Sequence, residues 1–174
     1  MSIKKRLERL YLRFVSEKRY IKLLRKRGVK IGDGCVIDKT THLETEGYMF
    51  IIGNNVRITE GCQLIPHDGA LWTLQKNGLL VNADFFQPIV IGDNTFLGNN
   101  VTVLPGVKIG HNCIIACGAV VTRDVPDNCV YGGIPAHFIE TIDEYYEKRK
   151  DKVDYIQGLS YKEKEKYLRS KFKI

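Results

Sequence analysis

His67 is the side chain whose type and setting best suit chemistry. It stands in Leu64-Ile-Pro-His-Asp-Gly. An imidazole titrates near neutral pH, so it can take a proton from a hydroxyl, the work of a general base. The residues that follow include Asp68, Trp72, Asn82, Asp84, Phe85 and Phe86. Asp68 could orient the imidazole or bind substrate, and Asn82, Asp84 and Glu60 compete for that orienting role. The five cysteines are an odd number with no CxxC pair, which indicates neither a disulfide framework nor a structural zinc site. Neither Cys117 nor Cys129 is marked as a nucleophile. A lone histidine in a loop is commonly an ordinary surface residue, so the case for His67 depends on what holds it.

What holds it is a repeat. Read in sixes from Ile91, the chain gives Ile-Gly-Asp-Asn-Thr-Phe, Leu-Gly-Asn-Asn-Val-Thr, Val-Leu-Pro-Gly-Val-Lys and onward to Val125. The first residue is aliphatic at 91, 97, 103, 109, 115 and 121, and the fifth is small or β-branched: Thr95, Val101, Val107, Cys113, Ala119, Val125. Neither a helix nor a plain strand repeats every six residues. A short strand plus a corner does, and that is the hexapeptide signature of a parallel β-helix. The phase continues upstream at Ile31, Ile37 and Leu43, and at Ile52, Ile58 and Leu64. Cys35, Cys62 and Cys113 fall on the inward fifth position, where a thiol acts as a small hydrophobe.

Two breaks interrupt the phase. Leu43 to Ile52 holds three extra residues, and Leu64 to Ile91 spans twenty-seven. A loop of roughly twenty residues must therefore leave the prism after Leu64 and return. His67 lies at its root, and functional residues concentrate on loops held by rigid scaffolds. Three sixes close one triangular turn, giving coils over 31–51, 52–64 with the return near 88–90, 91–108 and 109–126. The expected architecture is an all-β solenoid of about four coils with a protruding loop at 66–88. Periodicity does not reveal its hand.

The flanks differ from the solenoid in charge. Residues 1–30 hold twelve Lys/Arg against two Glu, residues 31–140 hold five against eleven acids, and residues 141–174 hold ten against seven. The division expected is a helical segment at 1–28, a β-helix at 29–140 and a helical tail at 141–174. Ile3, Leu7, Leu10, Phe14, Ile21 and Leu24 give the first segment an amphipathic pattern. It reads as a cap over the open end of the solenoid, as a membrane-surface helix, or as a nucleic-acid contact without any recognised binding module. The Gly/Pro segment from Val125 to Ala136 ends the repeat. A helix is expected over 142–156, and Ser160 with Glu163 stands in capping-box spacing before a second. No long uncharged apolar run and no signal-peptide core are present, so a cytoplasmic location is expected.

The Ile91–Val125 repeats, the preceding Pro88-Ile-Val-Ile-Gly, and the closing Gly118-Ala-Val-Val-Thr-Arg-Asp-Val-Pro with Gly133-Ile-Pro-Ala resemble the hexapeptide-repeat acyltransferases. The likeness is closest to the maltose/galactoside acetyltransferases and their surface-polysaccharide O-acetyltransferase relatives, and it covers residues 29–140. It implies a left-handed β-helix, a homotrimer, and acetyl-CoA bound between neighbouring subunits. It also implies that His67 deprotonates an acceptor hydroxyl, which attacks the thioester directly, without an acyl-enzyme. By the same resemblance Asn99, Cys117, Thr122 and Arg123 line the donor site, Arg123 replacing the more frequent lysine. Where the family often has basic residues after Pro135, this chain has His137 and Glu140.

With a glycan acceptor in view, Asp68, Asn82 and Asp84 become candidate substrate contacts. Trp72 and the Phe85-Phe86 pair could stack on a sugar ring or pin the loop to its own or a neighbouring subunit. O-acetylation of a sugar hydroxyl is the leading reading, and N-acetylation of an amino-sugar nucleotide is its neighbour within the fold. A non-catalytic assembly module is the alternative from another class. A γ-carbonic anhydrase needs three histidine ligands to zinc, the last two as His-x4-His, and position 116, five after His111, is alanine. No metal is therefore expected, and His42 and His111 read as structural or solvated.

Overall fold

The computed structural model describes residues 15–44 and 46–174. Ile3, Leu7, Leu10 and Phe14 of the amphipathic pattern lie outside the described residues.

Strands come in threes. The first set is β1 (Lys30–Ile31), β2 (Val36–Ile37) and β3 (His42–Leu43), and the second is β4 (Phe50–Ile52), β5 (Arg57–Ile58) and β6 (Gln63–Leu64). The third is β7 (Ile89–Ile91), β8 (Phe96–Leu97) and β9 (Thr102–Val103), followed by β10 (Lys108–Ile109), β11 (Ile114–Ile115) and β12 (Val120–Val121). Each of these strands pairs in parallel with the strand three places on, giving sheet A (β1-β4-β7-β10), sheet C (β3-β6-β9-β12) and the first four strands of sheet B (β2-β5-β8-β11). The first- and fifth-position side chains fill the interior. Ile37, Ile58, Leu97 and Ile115 are buried, and so are Val56, Cys62, Val101, Cys113 and Ala119. Burial of both sets is what a short strand with one corner requires, since the corner turns the fifth residue back toward the axis.

The return near 88–90 does not complete the second set, as its phase suggests. Ile89–Ile91 is β7, stacked on β4 in sheet A, while β6 alone supplies the third side. The whole loop is thus a detour between two sides of the prism. The three extra residues after Leu43 form a short 3-10 turn at Gly47–Met49. A Cβ on Gly47 would overlap the carbonyl oxygen of Arg27, so only glycine fits there.

The corners between sheets A and B carry an amide ladder. Asn55, Asn94, Asn112 and Asn128 all adopt positive φ, from +53° to +60°. Asparagine tolerates that conformation better than most residues because its short polar side chain can bond locally. Here each amide instead donates to the next: Asn55 Nδ2 to Asn94 Oδ1 (3.1 Å), Asn94 to Asn112 (3.1 Å), Asn112 to Asn128 (3.0 Å). One residue earlier, Asn54 Oδ1, Asp93 Oδ1, His111 Nδ1 and Asp127 Oδ1 each accept the backbone N–H of the corresponding residue one level below.

Helix α1 (Glu17–Lys26) packs on β1 and β2 and covers the first level. Val15, Tyr20 and Leu24 are buried in the continuous core. Arg25 Nε and Nη2 donate to the carbonyls of Ile31 (3.1 Å) and Gly32 (2.7 Å). This described half therefore works as a cap, as the exposed end of a stacked repeat demands.

At the other end the structure departs from expectation. The Gly/Pro segment is followed by an antiparallel pair, β13 (Cys129–Gly132) and β14 (His137–Thr141), which extends sheet B beyond β11. Gly133 and Pro135 mark the turn of that hairpin, where their residue types suggest only the end of the repeat. Helix α3 (Ile142–Arg149) stops seven residues short of the expected Ile156. The run Lys148–Lys152 has four cations and no apolar residue to bury. Residues 144–174 form a compact unit of their own. Within it α4 (Tyr161–Phe172) carries the anticipated capping box, Glu163 N–H donating to Ser160 Oγ and Ser160 N–H to Glu163 Oε2. Among the described residues no helix is long and apolar enough to cross a membrane.

Candidate active site

The loop after β6 is clipped at its root. Ile65 N–H still donates to Val103 O (3.0 Å), which keeps the ladder intact up to the point of departure. Beyond it, Pro66–Asp68 and Phe85–Gln87 run antiparallel: Asp68 N–H donates to Phe85 O (3.0 Å) and Gln87 N–H to Pro66 O (2.8 Å). His67 is thereby bridged to Phe86, and the two rings meet at 5.6 Å between centroids, tilted by 40°. The imidazole is half-buried, and Nδ1 is shut from solvent without a hydrogen-bond partner. Nε2 is the nitrogen left open for proton transfer.

None of the four proposed orienting groups hydrogen-bonds to that ring. Asp68 Oδ1 instead accepts the N–H of Ala70 (2.9 Å) in a local turn, and the residue is exposed. Asn82 has φ +61° in a segment held by Gln75 Nε2 donating to Ala83 O (2.6 Å). Asp84 is exposed. Trp72 lies on the short helix α2 (Leu71–Lys76), 63% exposed, with Lys76 Nζ 5.6 Å above its ring. Leu79, Leu80, Val81 and Phe85 are exposed as well, so the loop presents a markedly apolar surface.

The four donor-side candidates fall on two edges. Asn99, between β8 and β9, and Cys117, between β11 and β12, stack at the corner joining sheets B and C, where Gly118 N–H donates to Asn99 O (2.8 Å). Both are exposed. Gly98 lets them approach: a Cβ there would lie 2.8 Å from Cys117 Sγ. Thr122 and Arg123 follow β12 at the corner joining sheets C and A, the edge from which the His67 loop also departs. They too are exposed. One side of the prism separates the two groups, about 15 Å for a six-residue unit whose strand portion rises roughly 3.3 Å per residue. Within one copy, His67, Thr122 and Arg123 share an edge, and Asn99 and Cys117 do not join them. The spacing holds that division: 99 and 117 differ by eighteen, one full turn, and residues 67 and 123 fall fourth and third in sixes opening on sheet C. What sequence reasoning missed is the pairing of Phe86 with His67, which depends on how the loop folds back.

The remaining histidines and thiols have other roles. His111 Nδ1 accepts the N–H of Asp93 (3.0 Å), and His42 Nε2 lies 3.1 Å from Glu44. His137 and Glu140 lie on β14. Burial pushes the Cys62 and Cys113 thiols up, which keeps them protonated and unreactive. Among the described residues no group of three or more His, Cys, Asp or Glu is placed to hold a metal ion.

Residues 88–123 match the profile of the bacterial transferase hexapeptide family, described as six repeats. Protein CapG of Staphylococcus aureus is 40% identical over 170 residues, 96% of this chain and 97% of that protein. The galactoside O-acetyltransferase of Escherichia coli K12 is 35% identical over 113 residues, 63% of this chain and 54% of its own length. Among solved structures, a hexapeptide-repeat acetyltransferase of Vibrio cholerae, determined with acetyl-CoA, superposes with a TM-score of 0.61 at 24% identity, covering 76% of this chain and 82% of its own. The chain belongs to the hexapeptide-repeat transferases, a family of acyl-transferring enzymes whose repeat implies a left-handed β-helix.

Proposed function

We propose that this acetyltransferase is acetyl-CoA-dependent, acts on a sugar hydroxyl in surface-polysaccharide synthesis in the cytoplasm, and uses His67 as general base. It works as a homotrimer with its active sites between subunits. The observation that carries the reading is the division of the site. An open imidazole nitrogen stands on one edge of the prism, and Asn99 and Cys117 stand on the next. A prism packed around a threefold axis sets one copy's C–A edge beside the B–C edge of its neighbour, a head-to-tail contact that closes after three copies. The names of the E. coli and V. cholerae proteins support the donor and the transferred group.

In this mechanism Nε2 of His67 takes the proton of the acceptor hydroxyl as its oxygen attacks the thioester carbonyl. The tetrahedral oxyanion is held by backbone N–H or polar side chains. As the carbon–sulfur bond breaks, the imidazolium returns the proton to the departing thiolate. The exposed Arg123 offers a cation suited to phosphate, with Thr122 beside it. Asn99 and Cys117 flank the donor arm, while Asp68, Trp72, Asn82 and Asp84 face the acceptor from the loop. No covalent intermediate on the protein is needed.

Purified chain incubated with labelled acetyl-CoA and a panel of hydroxyl and amino sugars tests the proposal. Transfer to a hydroxyl, reduced roughly a hundredfold or more in His67→Ala, is expected, the scale of losing a general base. Transfer to amines alone would replace the O-acetyl reading, and undiminished turnover in His67→Ala would remove the imidazole from the mechanism.

A further inference from the structure

We infer that Phe86 is a positioning residue that sets the catalytic imidazole by packing, in place of a hydrogen-bonded carboxylate. The inference rests on His67 being the base. A general base must keep one nitrogen aimed at the acceptor, and the usual device is an acceptor on the other nitrogen. That device is missing within this copy. Nδ1 is buried with no partner, and Asp68, the nearest carboxylate in sequence, is turned to Ala70 N–H.

What the ring has instead is a wall. Phe86 is paired to His67 backbone to backbone, between the two hydrogen bonds that close the loop, and its ring lies against the imidazole at 5.6 Å and 40°. Tilted aromatic contacts of this kind are favourable, so the arrangement both orients the imidazole and keeps water from Nδ1. Phe86 is 40% exposed and lies outside the buried core of the solenoid. Gln87, the next residue, is seated over Gly106, where a Cβ would come within 3.2 Å of the Gln87 Cβ. The clip is thus fixed to the solenoid, and the ring of Phe86 has a defined place from which to press.

The consequence is specific. Truncating Phe86 should impair the proton-transfer step while leaving donor binding alone, because its ring lies against the imidazole and the hydrogen bonds of the clip involve none of Asn99, Cys117, Thr122 and Arg123. Phe86→Ala is expected to lower kcat roughly tenfold to a hundredfold, the penalty for a loosely held catalytic group, with KM for acetyl-CoA unchanged. Phe86→Tyr, which keeps the ring, should restore kcat to within about threefold, less than the penalty of losing the positioning ring. A second readout is independent of turnover. Diethyl pyrocarbonate acylates accessible unprotonated imidazole nitrogens, so His67 in the wild-type chain should be modified at Nε2 only. In Phe86→Ala it should also accept a second group at Nδ1, seen by mass spectrometry of the His67 peptide.

Circular dichroism and size-exclusion elution matching wild type keep the comparison fair, and Phe86→Leu serves in the same two assays if the alanine variant does not fold. Wild-type kcat together with single modification in the ring-lacking variant would overturn the positioning role. An active His67→Ala enzyme would overturn the base assignment instead, so the two failures are distinguishable.

Discussion

At the scale of single residues, the proposed mechanism separates the one side chain assigned chemistry from side chains that hold geometry. His67 leaves one nitrogen open, whereas Cys62 and Cys113 are inward, with thiols pushed up by burial. Direct attack by the acceptor predicts that acetyl-CoA alone leaves no acetyl group on the protein, and Cys117→Ala should form no less product per mole by more than a few-fold, since it loses a contact and no nucleophile. Intact-mass spectra with and without acceptor check this; a stoichiometric acetyl adduct would argue for a covalent route. Asn94 belongs to the holding class. Asn94→Ala loses both neighbours in the amide ladder and leaves at φ +56° a residue that tolerates this conformation less well than asparagine. Roughly 2 kcal/mol of destabilisation is expected in urea titration, with Asn94→Gly less affected.

At the scale of elements, the corners and the cap set the tolerances. A Cβ on Gly92 would lie 2.6 Å from the carbonyl carbon of Gly110, backbone against backbone. Gly92→Ala must therefore force adjacent levels of the solenoid away from each other, at a cost of about 1–3 kcal/mol, readable as a lower urea midpoint. Helix α1 brings a pH dependence of its own. Burial, with Asp38 nearby, pushes the Tyr20 phenol from 10.0 up to about 12. A folded-state pKa above the unfolded value means that the contribution is whole below pH 10 and is lost as pH rises toward 12. Stability should fall by roughly 2–3 kcal/mol across that interval, and Tyr20→Phe should remove that component. Equal pH dependence in the two proteins would contradict it.

The features of these elements that could be read from sequence are those that local chemistry repeats. Aliphatic first and compact fifth positions recur because one strand-and-corner unit recurs, and Ile37, Val56, Leu97 and Ala119 are buried as the period requires. The hairpin of β13 and β14 was not readable that way, because two short strands around Gly133 and Pro135 carry the same residues as a terminating turn. The early end of α3 escaped for a related reason: a charged run can continue a helix or stop it, and only contacts decide. His67 could be found from the break in phase. The clip with Phe86 could not, since the partners lie nineteen residues apart across an irregular loop.

At the scale of the whole molecule, charge and architecture divide the chain. The solenoid is acidic and its flanks are basic. In the unit formed by 144–174, Asp154 accepts from Tyr167 Oη and Lys171 Nζ. Those bonds, Lys171 first, hold its carboxyl below the usual range, and Lys171 is raised in turn. The Asp154 contribution is present above the ordinary carboxyl range and disappears as acid protonates it. Protection factors of the α4 amides should therefore fall at low pH, and Asp154→Asn should show the lower protection already at neutral pH.

The larger claim concerns copies. The proposed site, with the base, Thr122 and Arg123 on one edge and Asn99 and Cys117 on the next, is complete only between neighbours. The direct measurement mixes two inactive variants, His67→Ala and Asn99→Trp, the latter blocking the donor side at an exposed position. Separately each should be nearly dead. Unfolded and refolded together in equal amounts, about a quarter of the interfaces in a random threefold assembly receive both intact residues. Acetyl transfer should then recover to about a quarter of the wild-type rate. A mixture no more active than its components would show that His67 and Asn99 serve the same site within one chain, or none at all.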